Sequence, residues 1–233
     1  MRDQPVIIIT GARKGIGRHL AEHYLASGYT VVGCSRQPYE SPPANYHHFC
    51  LDVADEPAVK ELFACVRKRF ARLDAVINNA GIASMNHALL TPVATVERIL
   101  RTNVAGAFLF CREGAKLMQK FQRGRIVNLT TIAVPLCLEG ESAYAASKSA
   151  VEMLTRILAR EFGSLGITVN AIGPAPVRTD LVRGIGEDRL QRLLARQAIP
   201  RFAEIPDIVN LVDFFLKPES NFITGQVVYL GGV

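Results

Sequence analysis

Residues 143 to 150 read AYAASKSA and place Tyr144 and Lys148 four positions apart. On a helix that spacing stacks the phenol and the ammonium on one face, with Ala145, Ala146 and Ser147 too small to separate them from a docked molecule. A weak acid beside a fixed cation is suited to proton transfer. A free tyrosine titrates near pH ~10, and each unit toward neutrality requires about 1.4 kcal/mol, which a nearby ammonium and a low-dielectric pocket can supply.

A second group of residues suits an anion. The stretch VIIIT-GARKGIG-RHLAEHYLASG reads as strand, glycine-rich turn and helix. Gly11, Gly15 and Gly17 carry no side chains, so backbone N–H groups and the positive end of the following helix can approach a pyrophosphate closely. The spacing is neither GxGxxG nor a Walker A loop, which would need GK[ST] where GIG stands. Dinucleotide folds commonly place an acid about 20 residues beyond the glycines to bind the adenosine ribose of NAD. Here that region reads VVGCSRQ, with Ser35 and Arg36 in place of a carboxylate and Lys14 in the glycine loop. A hydroxyl and two cations suit a 2′-phosphate, so NADP(H) is expected over NAD(H).

The elements that must position these groups are legible in the hydrophobic pattern. Short β-branched runs fall at 6–10, 30–34, 47–51, 75–79, 125–130, 167–172 and 226–230, separated by longer helical patterns. Runs buried on both faces and joined by helices describe a doubly wound parallel α/β sheet of about seven strands. Asp55 with Pro57, and Thr91 with Pro92, are helix-start signals. The segment QPYESPPANYHH (37–48) has three prolines and no helical period. Its flanking strands are therefore expected to be joined by a loop, leaving that flank of the sheet open. No repeat or linker interrupts the chain, and one domain over 1–233 is expected.

Composition sets outer bounds. The 233 residues are 49% hydrophobic and 21% charged, the balance of an ordinary globule. No stretch approaches a membrane span, so a cytoplasmic protein without membrane contact is expected. A net charge of +6 without clustering does not call for a nucleic-acid partner. The five cysteines are scattered, without a CxxC pair, and read as buried small hydrophobes with neither disulfide nor metal site.

TGARKGIG, NNAG (78–81), Asn103 in RTN, YAASK (144–148) and GPAPVRT (173–179), in that order, resemble the short-chain dehydrogenase/reductase family, and the similarity extends to the terminal FITGQVVYLGG. The resemblance implies a Rossmann-type fold with the nicotinamide beside Tyr144 and Lys148. It implies Tyr144 as the proton donor to the substrate oxygen, Lys148 as the residue that tunes the phenol and holds the nicotinamide ribose, and Asn103 as the holder of a relay water. The family's serine falls 13 residues before the tyrosine, where this chain has Thr131; the hydroxyl is kept and a methyl is added. By the same resemblance Gly11, Arg13, Lys14, Gly15, Ile16, Gly17, Ser35 and Arg36 face the cofactor phosphates, Asp52 and Val53 the adenine, Asn79, Ala80 and Gly81 the ribose, and Pro174, Val177 and Thr179 the carboxamide. Ala175 replaces a glycine and Gly231 an aspartate of the family pattern, the second read as a change in subunit packing.

Among functions, the resemblance is closest to 3-oxoacyl carrier-protein reductases, through RIVNL, YAASKSAVEMLTRILAREF and ITGQVVYLGG. It implies a small-molecule or carrier-tethered acyl substrate, a place in fatty acid or polyketide biosynthesis, and a homotetramer or homodimer joined through the helices of 103–120 and 143–162. The segment 178–201 holds six arginines and reads either as an attractor of anionic carriers or as the wet face of a helix whose stripe is Leu190, Leu193 and Leu194. Leu165 stands where such reductases often carry a basic docking residue. Dehydrogenation of a cyclic alcohol such as a dihydrodiol, and NADP sensing without catalysis, are the other readings.

Overall fold

β-Branched runs without polar alternation need cover on both faces, and here all seven enter one sheet. The computed structural model describes residues 4–178 and 186–233. The strands are β1 (Val6–Thr10), β2 (Thr30–Ser35), β3 (Tyr46–Cys50), β4 (Ala75–Asn78), β5 (Gly124–Leu129), β6 (Ile167–Gly173) and β7 (Val227–Tyr229). The helices are α1 (Gly15–Ala26), α2 (Glu56–Phe70), α3 (Val93–Leu100), α4 (Gly106–Met118), α5 (Ala133–Leu136), α6 (Ser142–Gly163), α7 (Glu187–Leu194) and α8 (Ile205–Leu216). Sheet order is β3-β2-β1-β4-β5-β6-β7, with every pair parallel. The winding reverses between β1 and β4, where such sheets open a ligand crevice beyond the strand ends.

Alternation along each strand divides the core into two layers. Ile8, Val32, Val76, Ile126 and Val169 face Leu62, Phe110 and Leu158 of α2, α4 and α6. Ile7, Ile9, Val31, Ile77 and Val127 face Leu20 and Tyr24 of α1 and Ile208, Val212 and Phe215 of α8. Buried side-chain bonds add registry to the first layer. Asn78 Nδ2 donates to Asn128 Oδ1 at 2.8 Å, and Asn128 Nδ2 to Thr155 Oγ1 at 2.8 Å, tying β4, β5 and α6 together.

Several local expectations can be compared with this framework. β2 and β3 are joined by a loop without a helix, and on that flank Tyr39, Tyr46 and His48 pack together, their rings within 5.8 Å of one another. Asp55 caps α2, accepting from Ala58 N at 3.3 Å. Thr91 does not cap α3; its hydroxyl donates backward to Asn86 O and His87 O across the 3₁₀ turn Ala88–Leu90, and Pro92 flanks the helix instead. Cys34 and Cys111 are buried as expected, and burial pushes both thiols up to about 12. Cys50 and Cys137 are exposed, contrary to expectation, because one closes the edge strand and the other sits in the left-handed turn that ends α5. Among the described residues no helix is long and apolar enough to cross a membrane.

The connection from α3 to α4 is unbroken but irregular. Arg101–Ala105 form one π-helical turn between them, and Asn103 lies buried within it. Asn103 is therefore no ordinary residue at a helix start.

Candidate active site

Parallel strands deliver their C-terminal ends to one edge, and the chemical groups gather there. The main chain leaves β5 at Leu129, runs through Thr130 and Thr131, and enters α6 just before Tyr144. Lys148 Nζ donates to Leu129 O at 2.7 Å, and burial lowers its ammonium to about 8. Tyr144, one turn earlier on the same face, is buried as well. Burial pushes its phenol up to about 12, the neighbouring Thr131 hydroxyl works in the opposite direction, and Glu141 adds to the rise. The expected downward shift of Tyr144 is thus reversed: desolvation outweighs the surrounding groups, and Lys148 directs its ammonium to a carbonyl. Thr131 Oγ1 is fixed by the Ala133 N–H at 3.2 Å.

Asn103 joins this group through its amide. Its Oδ1 accepts from Ile82 N at 2.9 Å, and its Nδ2 donates to Ile82 O and to Ser147 Oγ, both at 2.9 Å. Gly81 covers the junction. A Cβ there would lie 3.3 Å from both Asn103 Oδ1 and Lys148 Nζ. Behind the site Thr130 Oγ1 donates to the buried Glu152 at 2.6 Å, and Tyr229 of β7 bonds the same carboxylate.

At the sheet's reversal Gly11 adopts φ +68°, a conformation suited to glycine. Asn79 does not simply face a ribose; its Nδ2 donates to Thr10 O at 2.9 Å and Gly11 O at 3.3 Å. Thr10 returns the support, its hydroxyl accepting from Asn79 N and Ala80 N at 3.0 and 2.9 Å. Gly17 packs into this joint so closely that a Cβ would come within 2.4 Å of Asn79 Nδ2 and 2.5 Å of Gly11 O. The first turn of α1 contains no acid and no side-chain cap, with Lys14 flanking it and Gly15, Ile16 and Gly17 inside it. A backbone cradle of this kind fits a pyrophosphate.

At the end of β2, Ser35 Oγ donates to Gln37 O at 2.6 Å. His48, which the sequence reading passed over, approaches both groups: its Nε2 lies 3.0 Å from Ser35 Oγ and 3.1 Å from Gln37 O, and its Nδ1 lies 2.9 Å from the Tyr46 hydroxyl. Burial lowers the His48 pKa, and the charge of Arg13 lowers it further, which brings Arg13 to the same corner. Arg36 is exposed beside them. The available signal was the spacing of Tyr46 and His48, two apart on one strand face.

The remaining expected residues occupy two loops. Asp52 is exposed and accepts from Ala54 N at 2.9 Å, while Val53 is buried against Gly106. Pro174 O accepts from Ile132 N at 3.3 Å, and Val177 pairs with Ala203. Thr179, with Asp180 and Arg183 of the arginine-rich segment, lies outside the described residues. Leu190 and Leu194 of α7 are buried as the helical reading of that segment requires. Its arginines are largely engaged within the chain. Arg178 stacks 4.2 Å over Phe202, Arg189 donates to Glu139 O, Arg196 to Leu136 O, and Arg201 pairs with Asp207. The two departures near the site meet each other: a Cβ at Gly231 would lie 3.5 Å from that of Ala175 and 2.3 Å from Gln197 Oε1. Packing within the chain thus already calls for a glycine at 231.

This fold and edge define a class. A family model described as enoyl-(acyl carrier protein) reductase matches residues 11–232, and the chain belongs to the short-chain dehydrogenase/reductase family of NAD(P)-dependent oxidoreductases. Among individual relatives, the 3-oxoacyl-[acyl-carrier-protein] reductase FabG of Escherichia coli (strain K12) is 29% identical, over 97% of this chain and 96% of the relative. Among solved structures, ElxO with NADP bound superposes with a TM-score of 0.89 at 30% identity, covering 97% of each chain. 4-Hydroxyisoleucine dehydrogenase complexed with NADH gives 0.90 at 26% identity, covering 98% of each.

Proposed function

We propose that this protein reduces a ketone with NADPH, most readily a 3-oxoacyl thioester borne by a carrier protein or CoA. The observation that carries the reading is the convergence of Thr131, Tyr144, Lys148 and Asn103 at one strand edge, with a buried phenol that stays protonated at neutral pH. When bound, NADPH supplies hydride to the carbonyl carbon. Tyr144 donates its proton to the carbonyl oxygen, which the Thr131 hydroxyl holds by a second hydrogen bond. With the cofactor bound, Lys148 would hold the nicotinamide ribose and, with Asn103, would restore the proton.

The cofactor assignment rests on the chemistry of the donor set. Gly11, Gly15, Ile16 and Gly17 would hold the pyrophosphate, and Arg13, Lys14, Ser35 and Arg36 the 2′-phosphate. Asp52 and Val53 would flank the adenine, Asn79, Ala80 and Gly81 the adenosine ribose, and Pro174 and Val177 the carboxamide. The names of the FabG and ElxO relatives support the acyl substrate and NADP respectively. A second reading, dehydrogenation of a hydroxylated small molecule, draws on the inward engagement of the arginines, which removes much of the expected attraction for an anionic carrier. We also assign self-association to the faces of α4 and α6, where Phe108, Met153 and Ile157 are exposed.

The test is NADPH consumption against 3-oxoacyl thioesters, simple ketones and, in reverse, cyclic alcohols, with NADH and Tyr144→Phe as controls. Turnover on thioesters that Tyr144→Phe abolishes while NADPH still binds is the expected result. Near-normal turnover by Tyr144→Phe overturns the mechanism, and activity confined to alcohols favours the second reading.

A further inference from the structure

The connection from β5 to α6 ends on a carboxylate that the reductase reading does not use. Glu141 flanks the start of α6 three residues before Tyr144 and is 7% exposed. Its backbone is committed, the N–H to Leu138 O at 3.3 Å and the carbonyl to Ala145 N at 2.7 Å. Its side chain does not cap the helix it precedes. Among the described residues its carboxylate accepts no hydrogen bond, yet its oxygens are not sealed in the way that Asn78 Oδ1 and Gln197 Oε1 are.

Tyr144 and Arg189 are the groups coupled to that carboxylate. The charge of Glu141 is felt at the Tyr144 phenol. Burial raises the Glu141 carboxyl above its ordinary range; the charge of Arg189 of α7 opposes that rise, but its guanidinium donates to Glu139 O and not to the carboxylate. Arg189 also closes over Gly140, where a Cβ would lie 3.3 Å from the guanidinium and 3.8 Å from the Asn86 backbone. Asn86, Glu139 to Glu141 and Arg189 thus gather in one cluster, which reaches the catalytic group through the coupling of Glu141 to Tyr144. A carboxylate withdrawn from water without a donor is unfavourable unless something supplies one.

We propose that Glu141 is a substrate-recognition group, its carboxylate accepting a hydrogen bond from a hydroxyl or ammonium that the substrate carries near the carbon reacting at Tyr144. This rests on the reading of Tyr144 as proton donor, and within it favours the second substrate reading, hydroxy- or amino-substituted ketones and their alcohols, over a 3-oxoacyl thioester. A bare acyl chain offers Glu141 nothing.

Three ketones matched in size test it: pentan-2-one, 4-hydroxybutan-2-one and 4-aminobutan-2-one. Their binding to NADPH-loaded Tyr144→Phe is measured by calorimetry, so that affinity is read without turnover, and repeated with Glu141→Gln or Glu141→Leu added. A donor-bearing ketone is expected to bind about tenfold or more tightly than pentan-2-one, as for a hydrogen bond to a charged group. Glu141→Leu should erase that preference; Glu141→Gln should retain it for the hydroxyl and lose it for the ammonium. The difference between the last two ketones identifies which donor the site takes. Equal ratios with and without Glu141, or no preference at all, overturn the proposal. Turnover of the same ketones by the unaltered enzyme separates the two readings: preference without turnover sinks the reductase assignment alone, and turnover without preference sinks only the role of Glu141.

Discussion

Lys148 and Tyr144 are shifted in opposite directions by the same burial. Burial lets the ammonium keep its proton only to about 8, while the phenol keeps its own to about 12. Ketone reduction with a charged Lys148 should therefore hold level below about pH 8 and fall by about tenfold per unit above it; a kcat profile flat to pH ~10 would show that the ammonium is not required. The same shift acts on stability. Between about 8 and the ordinary lysine value of 10.5, the unfolded chain holds a proton that the folded chain has released, so stability rises with pH across that window. Urea titrations of the protein and of Lys148→Met should diverge in slope there and nowhere below it. Of these residues, Tyr144 and Lys148 were visible in the sequence because a spacing of four is a local property of one helix. His48 and Glu141 were not, because each draws its meaning from a neighbour on another element: Ser35 for the first, Arg189 for the second.

At the scale of elements, the glycine turn is held from below as much as it holds a ligand above. Gly17 has no room for a methyl because Asn79 crosses from β4 to bond the turn's carbonyls. Gly17→Ala is expected to lower stability by about 1–3 kcal/mol, the usual range for overpacking, and to weaken NADPH binding together with it. Urea unfolding and fluorescence titration check the two effects, and a variant as stable and as tight as the parent would contradict this account of the joint. Strand positions and the helix-free passage from β2 to β3 could be read from β-branched runs and prolines, since both signals are local. The π turn at Asn103 could not, because nothing in RTNVAG distinguishes it from regular helix until Ile82 and Ser147 claim the side chain from two directions.

At the scale of the molecule, α4 and α6 carry Phe108, Met153 and Ile157, about half exposed, and exposed apolar side chains of this kind suit the proposed self-association. Light scattering should report a dimer or tetramer, and Met153→Arg with Ile157→Arg should shift it toward monomer; a monomeric parent protein would remove the assignment. The doubly wound order itself was legible because alternating strand and helix leave few topologies open. The π turn also has a consequence for the molecule's shape. An α-helix advances about 100° per residue, so the one extra residue in that turn sets the angular phase between α3, with the Asn86 loop that precedes it, and α4, which packs on the sheet. Deleting it would restore a regular helix and, in the same stroke, turn α3 and the Asn86 loop before it about the axis relative to α4. The placement of Asn86 is thus tied to a count of residues along one helix.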